Sequence, residues 1–103
     1  ARTFAPVWKE ETYTFIYYES PEAWLAAAQY ASDYKWNEAM KVWISLLDTN
    51  NPMKRSCAEY NIATACFLMG DNELALKWLN SSDEDYPISL SKTLRKRIQT
   101  RSR

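Results

Sequence analysis

The chain is expected to be all-α, built from two paired-helix units and a closing helix. Three observations carry this. Only one glycine and four prolines occur in 103 residues, too few for the tight turns of an all-β fold. Apolar residues recur at helical spacing through most of the chain after Ser20. Paired helical segments recur with a period near 35: Pro52 to Pro87 spans 35 residues and Ala39 to Ala75 spans 36.

The elements follow in order. Residues 1–19 read differently from the rest. In "TYTFIYYE", Thr12 to Glu19, aromatic and β-branched residues alternate, which favours an extended segment. With no second strand to pair with, this segment is expected to lie on the helices. At "SPEAW" the signal changes: Ser20 suits an N-cap, Pro21 the first helical position and Glu22 the first turn. The first helix is expected over about 21–33, with alanines at 23, 26, 27 and 28 allowing close approach of a partner.

The second helix, about 37–48, carries one stripe of Trp36, Ala39, Met40, Trp43, Leu46 and Leu47. "DTNN" ends it and Pro52 opens the third, about 53–69. That helix is apolar on two faces: Ala58, Ile62, Ala65, Cys66 and Met69 on one, Tyr60, Thr64, Phe67 and Leu68 on the other. It is therefore expected to be sandwiched or to line a groove. Gly70 suits a left-handed C-cap. Asp71 or Asn72 caps the fourth helix, about 72–81, whose stripe is Leu74, Ala75, Trp78 and Leu79. "SSDED" is expected to break it. Pro87 then opens a fifth helix over about 88–100, with a thin stripe of Ile88, Leu90, Leu94 and Ile98. The domain proper is thus 20–103.

Composition removes several classes of function. The chain has no His, the commonest general base and metal ligand. Ser20, Ser81 and Ser82 therefore have no imidazole to activate them. Cys57 and Cys66 project from opposite sides of one helix, which argues against a disulfide, and two thiols cannot close a zinc site. They read as buried packing. Glu10-Glu11 and Asp83-Glu84-Asp85 lack a buried pocket to raise a carboxyl pKa. No Gly-rich loop can cradle phosphate. No enzyme, cofactor or metal is expected. No apolar run reaches the roughly 18 residues of a membrane span. The chain begins at Ala1, so a longer or processed parent with targeting information upstream is expected.

Net charge is zero but unevenly spread. Six of the 13 basic residues fall between Lys92 and Arg103 with no acid among them, leaving a body of net charge −6. Such a tail could bind nucleic acid or an anionic surface. Cations near a helix C-terminus also favour the macrodipole, so nucleic acid is the weaker reading.

The stretch "EYNIATACFLMGDNELALKWLNSSDEDYP", Glu59 to Pro87, resembles a tetratricopeptide repeat. The family's Tyr-Asn-Leu-Gly run appears as Tyr60-Asn61-Ile62-Ala63, the turn glycine as Gly70, the small residue of the second helix as Ala75, the bulky one as Leu79 and the closing proline as Pro87. Cys66 stands where Tyr is common and Ser82 where Ala is. The unit Pro21 to Pro52 keeps Tyr30, Ala39 and Trp43 in register, but Tyr34 replaces the turn glycine. "APVW", "YKWNEAMKVW" and the second unit also resemble uncharacterised Bacteroidetes lipoproteins with tetratricopeptide-like C-terminal regions, which would imply a cell-envelope location.

The tetratricopeptide resemblance implies a concave face lined by the first helix of each pair, hence a peptide or protein partner. The candidate groove is Trp24, Ala28 and Ala31 with Tyr60, Asn61, Thr64, Phe67 and Leu68. Asn61 resembles the asparagine that holds a peptide carboxylate in some members, but the accompanying cations are not matched. Two alternatives stay open: an open groove, or one covered by residues 9–19. A purely structural domain packed on the rest of its own chain is the rival function, and a homo-oligomer is compatible with either.

Overall fold

A computed structural model describes residues 22–102. It is all-α, with no strand among the described residues: α1 (Glu22–Ser32), α2 (Trp36–Ser45), α3 (Pro52–Leu68), α4 (Asn72–Asp85) and α5 (Ser89–Ser102). Each helix packs against the next in sequence, and α3 also meets α5. The N-terminal segment 1–19, and the Ser20–Pro21 start of the first helix, fall outside the described residues.

The first pair is joined by a turn at Tyr34, whose φ is 61°. The Tyr34 N–H donates to Ala31 O at 3.0 Å and the Lys35 N–H to Tyr30 O at 2.8 Å. These two bonds satisfy carbonyls that the helix end would otherwise strand, the arrangement known as a Schellman motif. The second pair repeats it 36 residues on: Gly70, φ 94°, donates to Phe67 O at 3.0 Å, and Asp71 to Cys66 O at 2.9 Å.

Capping explains where the later helices start. Asn51 Oδ1 accepts from Met53 N at 3.0 Å and Lys54 N at 3.2 Å, with Pro52 just inside the helix. Asp71 Oδ1 accepts from Leu74 N at 3.1 Å.

Three boundaries differ from expectation. α2 ends at Ser45 rather than near 48, because Leu46 and Leu47 tighten into i→i−3 bonds to Trp43 O and Ile44 O. α4 runs to Asp85, through the "SSDED" read as a breaker. Ser82 is fully buried against α3 and Asp85 pairs with Arg55, so tertiary contacts outweigh weak propensity. α5 starts at Ser89 and continues to Ser102. Its buried stripe is Ser91, Leu94 and Ile98, with Leu90 turned to solvent.

Small and large side chains share the interior. Ala27, Ala39, Ala63 and Ala75 are all fully buried, with Trp24, Trp43, Ile62 and Leu79 filling the space between helices. Each of these large side chains contributes about 1.5–3 kcal/mol by leaving water. Both cysteines are free and buried.

Candidate functional site

α3 is the centre of the domain. Every residue from Ser56 to Phe67 is buried, so no face of this stretch is left to solvent. That extends the two-faced pattern of its sequence to the polar positions Ser56, Glu59, Asn61 and Thr64. The candidate groove residues on α1 and α3 belong largely to the buried core rather than to an exposed lining. Trp24 on α1 and Tyr60, Asn61, Thr64 and Phe67 on α3 are each at most 4% exposed. Ala28 and Leu68 are half-buried and Ala31 is buried. Coverage by residues 9–19 lies outside the described residues.

The individual environments are specific. The Thr64 hydroxyl donates to Tyr60 O at 3.0 Å, satisfying itself within the helix. Burial pushes the Tyr60 phenol above its ordinary pKa, against the opposing pull of Thr64 and of Arg97 on α5. The Arg101 guanidinium lies 3.7 Å from the centre of the Phe67 ring. It also donates to Phe67 O at 2.5 Å and to Asn72 Oδ1 at 3.1 Å through Nε. A cation thus stacks on an aromatic face and caps the carbonyl end of α3 at once.

Part of the basic tail is therefore engaged in docking α5. Besides Arg101, Arg95 pairs with Asp83 at 2.5 Å and donates to Asn80 Oδ1 at 3.0 Å. Lys92 and Lys96 are exposed.

A second cluster was not visible as a site in the sequence. At the start of α3 and the end of α4, the Ser56 hydroxyl lies 2.6 Å from Tyr86 O and 2.9 Å from Ser82 O, and the Ser82 hydroxyl donates to Ser56 O at 3.0 Å. Carbonyls at the end of α4 are thereby satisfied from a neighbouring helix. Beside this seam, Arg55 Nε donates to Asp85 at 3.1 Å while its Nη1 donates to Thr49 O at 3.0 Å.

Glu59 lies next to that ion pair and is 6% exposed. Burial first, then the hydrogen bond and charge of Asp85, push its carboxyl up to about 8, with Arg55 opposing. The same Glu59 hydrogen bond, helped by Arg55, holds Asp85 below the usual carboxylate range. The usable signal was an acid at position 59 inside a helix otherwise apolar on both faces.

The thiols are poorly suited to nucleophilic work. Burial and the nearby Asp71 charge push Cys66 up to about 11, and burial raises Cys57 as well. Among the described residues, no group of three or more acid or thiol side chains is placed to hold a metal. No helix among them is long and apolar enough to cross a membrane.

Residues 25–101, from the first helix to the last, match the model of a family described as a domain of unknown function, DUF6340. The chain belongs to this family. Its matched span begins in α1 and ends in α5, so all five helices contribute to the family's domain. Comparison with curated proteins and with solved structures returns no match.

Proposed function

We propose that this DUF6340 domain is a non-catalytic protein-interaction or scaffold module of tetratricopeptide type, forming part of a larger cell-envelope protein. The reading rests chiefly on the repeated hairpin. The two turns carry the same pair of hydrogen bonds at an offset of 36 residues, and Ala27 and Ala63 occupy equivalent, fully buried positions in the two first helices. The lack of His and the raised, buried thiols support a role without catalysis. The envelope location rests on the sequence resemblance alone.

The partner in this reading is a peptide or protein segment meeting the domain at Ala28 and Leu68, the half-buried members of the candidate groove, because Tyr60, Asn61, Thr64 and Phe67 lie in the interior. A displayed-peptide selection on the full chain, followed by mapping of amide shift changes, tests it. Selected peptides should perturb Ala28 and Leu68 first. Failure to select any peptide, or perturbations confined to the α2 surface, would reject it.

The burial of Trp24, Tyr60 and Phe67 favours a second reading, in which the domain is structural and packs on the rest of its own polypeptide. Under that reading, adding the remainder of the polypeptide in trans should shift resonances along one continuous face, while peptides do nothing.

A further inference from the structure

We propose that the end of α3 is a seat for an arginine side chain, that the chain fills it with its own Arg101, and that an arginine-bearing peptide segment of a partner takes it by lifting the last turn of α5. The partner rests on the protein-interaction reading above; the seat does not.

The seat is built from a ring and two oxygens. The Phe67 ring offers its face, with the Arg101 guanidinium carbon 3.7 Å from the ring centre. The Phe67 carbonyl accepts from Arg101 Nη2 at 2.5 Å and from the Gly70 N–H at 3.0 Å. Asn72 Oδ1 accepts from Arg101 Nε at 3.1 Å and from Nη2 as well. A flat cation with donors along one edge meets all of these at once. A lysine ammonium can lie over the ring or reach an oxygen, but has no planar edge with which to do both. The charge also suits a cation. The seat lies at the carbonyl end of α3, and the exposed Asp71 and Glu73 flank Asn72.

The first hairpin lacks both side chains at the matching places. At the 36-residue offset that relates the two turns, Ala31 stands for Phe67 and Trp36 for Asn72. The ring and the amide are therefore additions of the second hairpin and not requirements of the turn.

The occupant is placed to be exchanged. Among the described residues, the buried side chains of α5 are Ser91, Leu94 and Ile98, all earlier in the helix than Arg101. Gln99, Thr100 and Arg101 are exposed. Lifting the last turn breaks the Arg101 contacts and leaves Leu94 and Ile98 covered, and helix ends are the parts that open most readily. At the same turn Met69 is 45% exposed, and Leu74, in the first turn of α4, is 38% exposed. They offer apolar surface to the residues on either side of a partner's arginine.

Methylguanidinium is the first probe, titrated by amide NMR into the full chain and into its Arg101→Ala variant, with methylammonium as control. The variant should show saturable shifts at Phe67, Gly70 and Asn72 with methylguanidinium alone. The parent should stay still, because its seat is filled. No saturable shift in the variant, or an equal response to methylammonium, would overturn the seat. If Arg101→Ala does not fold, Arg101→Gln serves for the same titration. The second probe is the capped tripeptide Leu-Arg-Leu, against its citrulline counterpart. It should bind the variant about tenfold more tightly than the parent, the factor by which a filled seat depletes the competent state. In the parent it should speed amide exchange at Thr100 and Arg101 and leave Leu94 and Ile98 protected. Equal affinity for both proteins, or equal binding of the citrulline peptide, would overturn displacement. Methylguanidinium binding without peptide binding would overturn the partner. A seat that fails while selected peptides still bind near Ala28 would overturn this proposal and leave the interaction reading standing.

Discussion

The two hairpins reach the same turn by different residues, and hold themselves together by different chemistry. α1–α2 turns at Tyr34 and α3–α4 at Gly70, both with positive φ and both with the same two backbone hydrogen bonds. The first is short, 11 and 10 residues, and its interior is dominated by Trp24 and Trp43. The second is longer, 17 and 14 residues, and adds a serine seam, a carboxyl pair and two arginine ties from α5. The geometry belongs to the position in the repeat. The residue type sets only its cost.

Removing the largest buried ring should show how far the first hairpin depends on its tryptophans. Trp43→Ala should cost about 3–5 kcal/mol in urea unfolding. Leu79→Ala, at the equivalent buried place in the second hairpin, should cost about 2–5 kcal/mol. If Trp43→Ala proves the milder of the two, the first hairpin is not held by its ring.

The serine seam has no counterpart among the described residues of the first hairpin, so it should be energetically distinct. Ser56→Ala should destabilise by about 1–3 kcal/mol, because Tyr86 O and the buried Ser82 hydroxyl lose a partner while Ser82 O keeps the Tyr86 N–H. A double-mutant cycle with Ser82→Ala should give strongly non-additive losses. Simple additivity would mean that the two hydroxyls act separately.

The turns themselves should respond with opposite sign. Gly70→Ala should cost about 1–2 kcal/mol. A Cβ at Gly70 meets nothing within 4 Å, so the loss would be purely conformational. Tyr34→Gly should instead stabilise, by well under about 1 kcal/mol. Tyr34 is 80% exposed, and among the described residues the change forfeits only its edge contact with Trp36, ring centres 6.2 Å apart. Thermal midpoints that fell in both variants would contradict equivalence of the two turns.

Much of this was legible in advance. Helical spacing located all five helices, and Gly70, Asp71 and Pro52 marked ends that the structure places within a residue. Tyr34 was readable as a turn only through its register with Gly70, because nothing in its own chemistry favours positive φ. The end of α4 was misjudged because Ser82 and Asp85 are poor helix formers alone and owe their helical state to Ser56 and Arg55, 26 and 30 residues earlier. The groove residues were identified as one face, but their burial depends on three-dimensional neighbours that periodicity does not report. Glu59 was hidden for the same reason: its environment is made by Asp85, on another helix.

Contacts between helices that are neighbours along the chain have a kinetic meaning. With each helix packing chiefly on the next and α3 also reaching α5, most packing steps among the described residues close a short loop. Chains of this kind form in microseconds to milliseconds, because little loop entropy must be lost before contacts begin to repay it. Their cooperativity is passed along from one helix to the next. A perturbation at Trp24 should therefore be felt strongly in α2 and faintly in α5, and pulling on the two ends should unravel the array from its extremities toward α3.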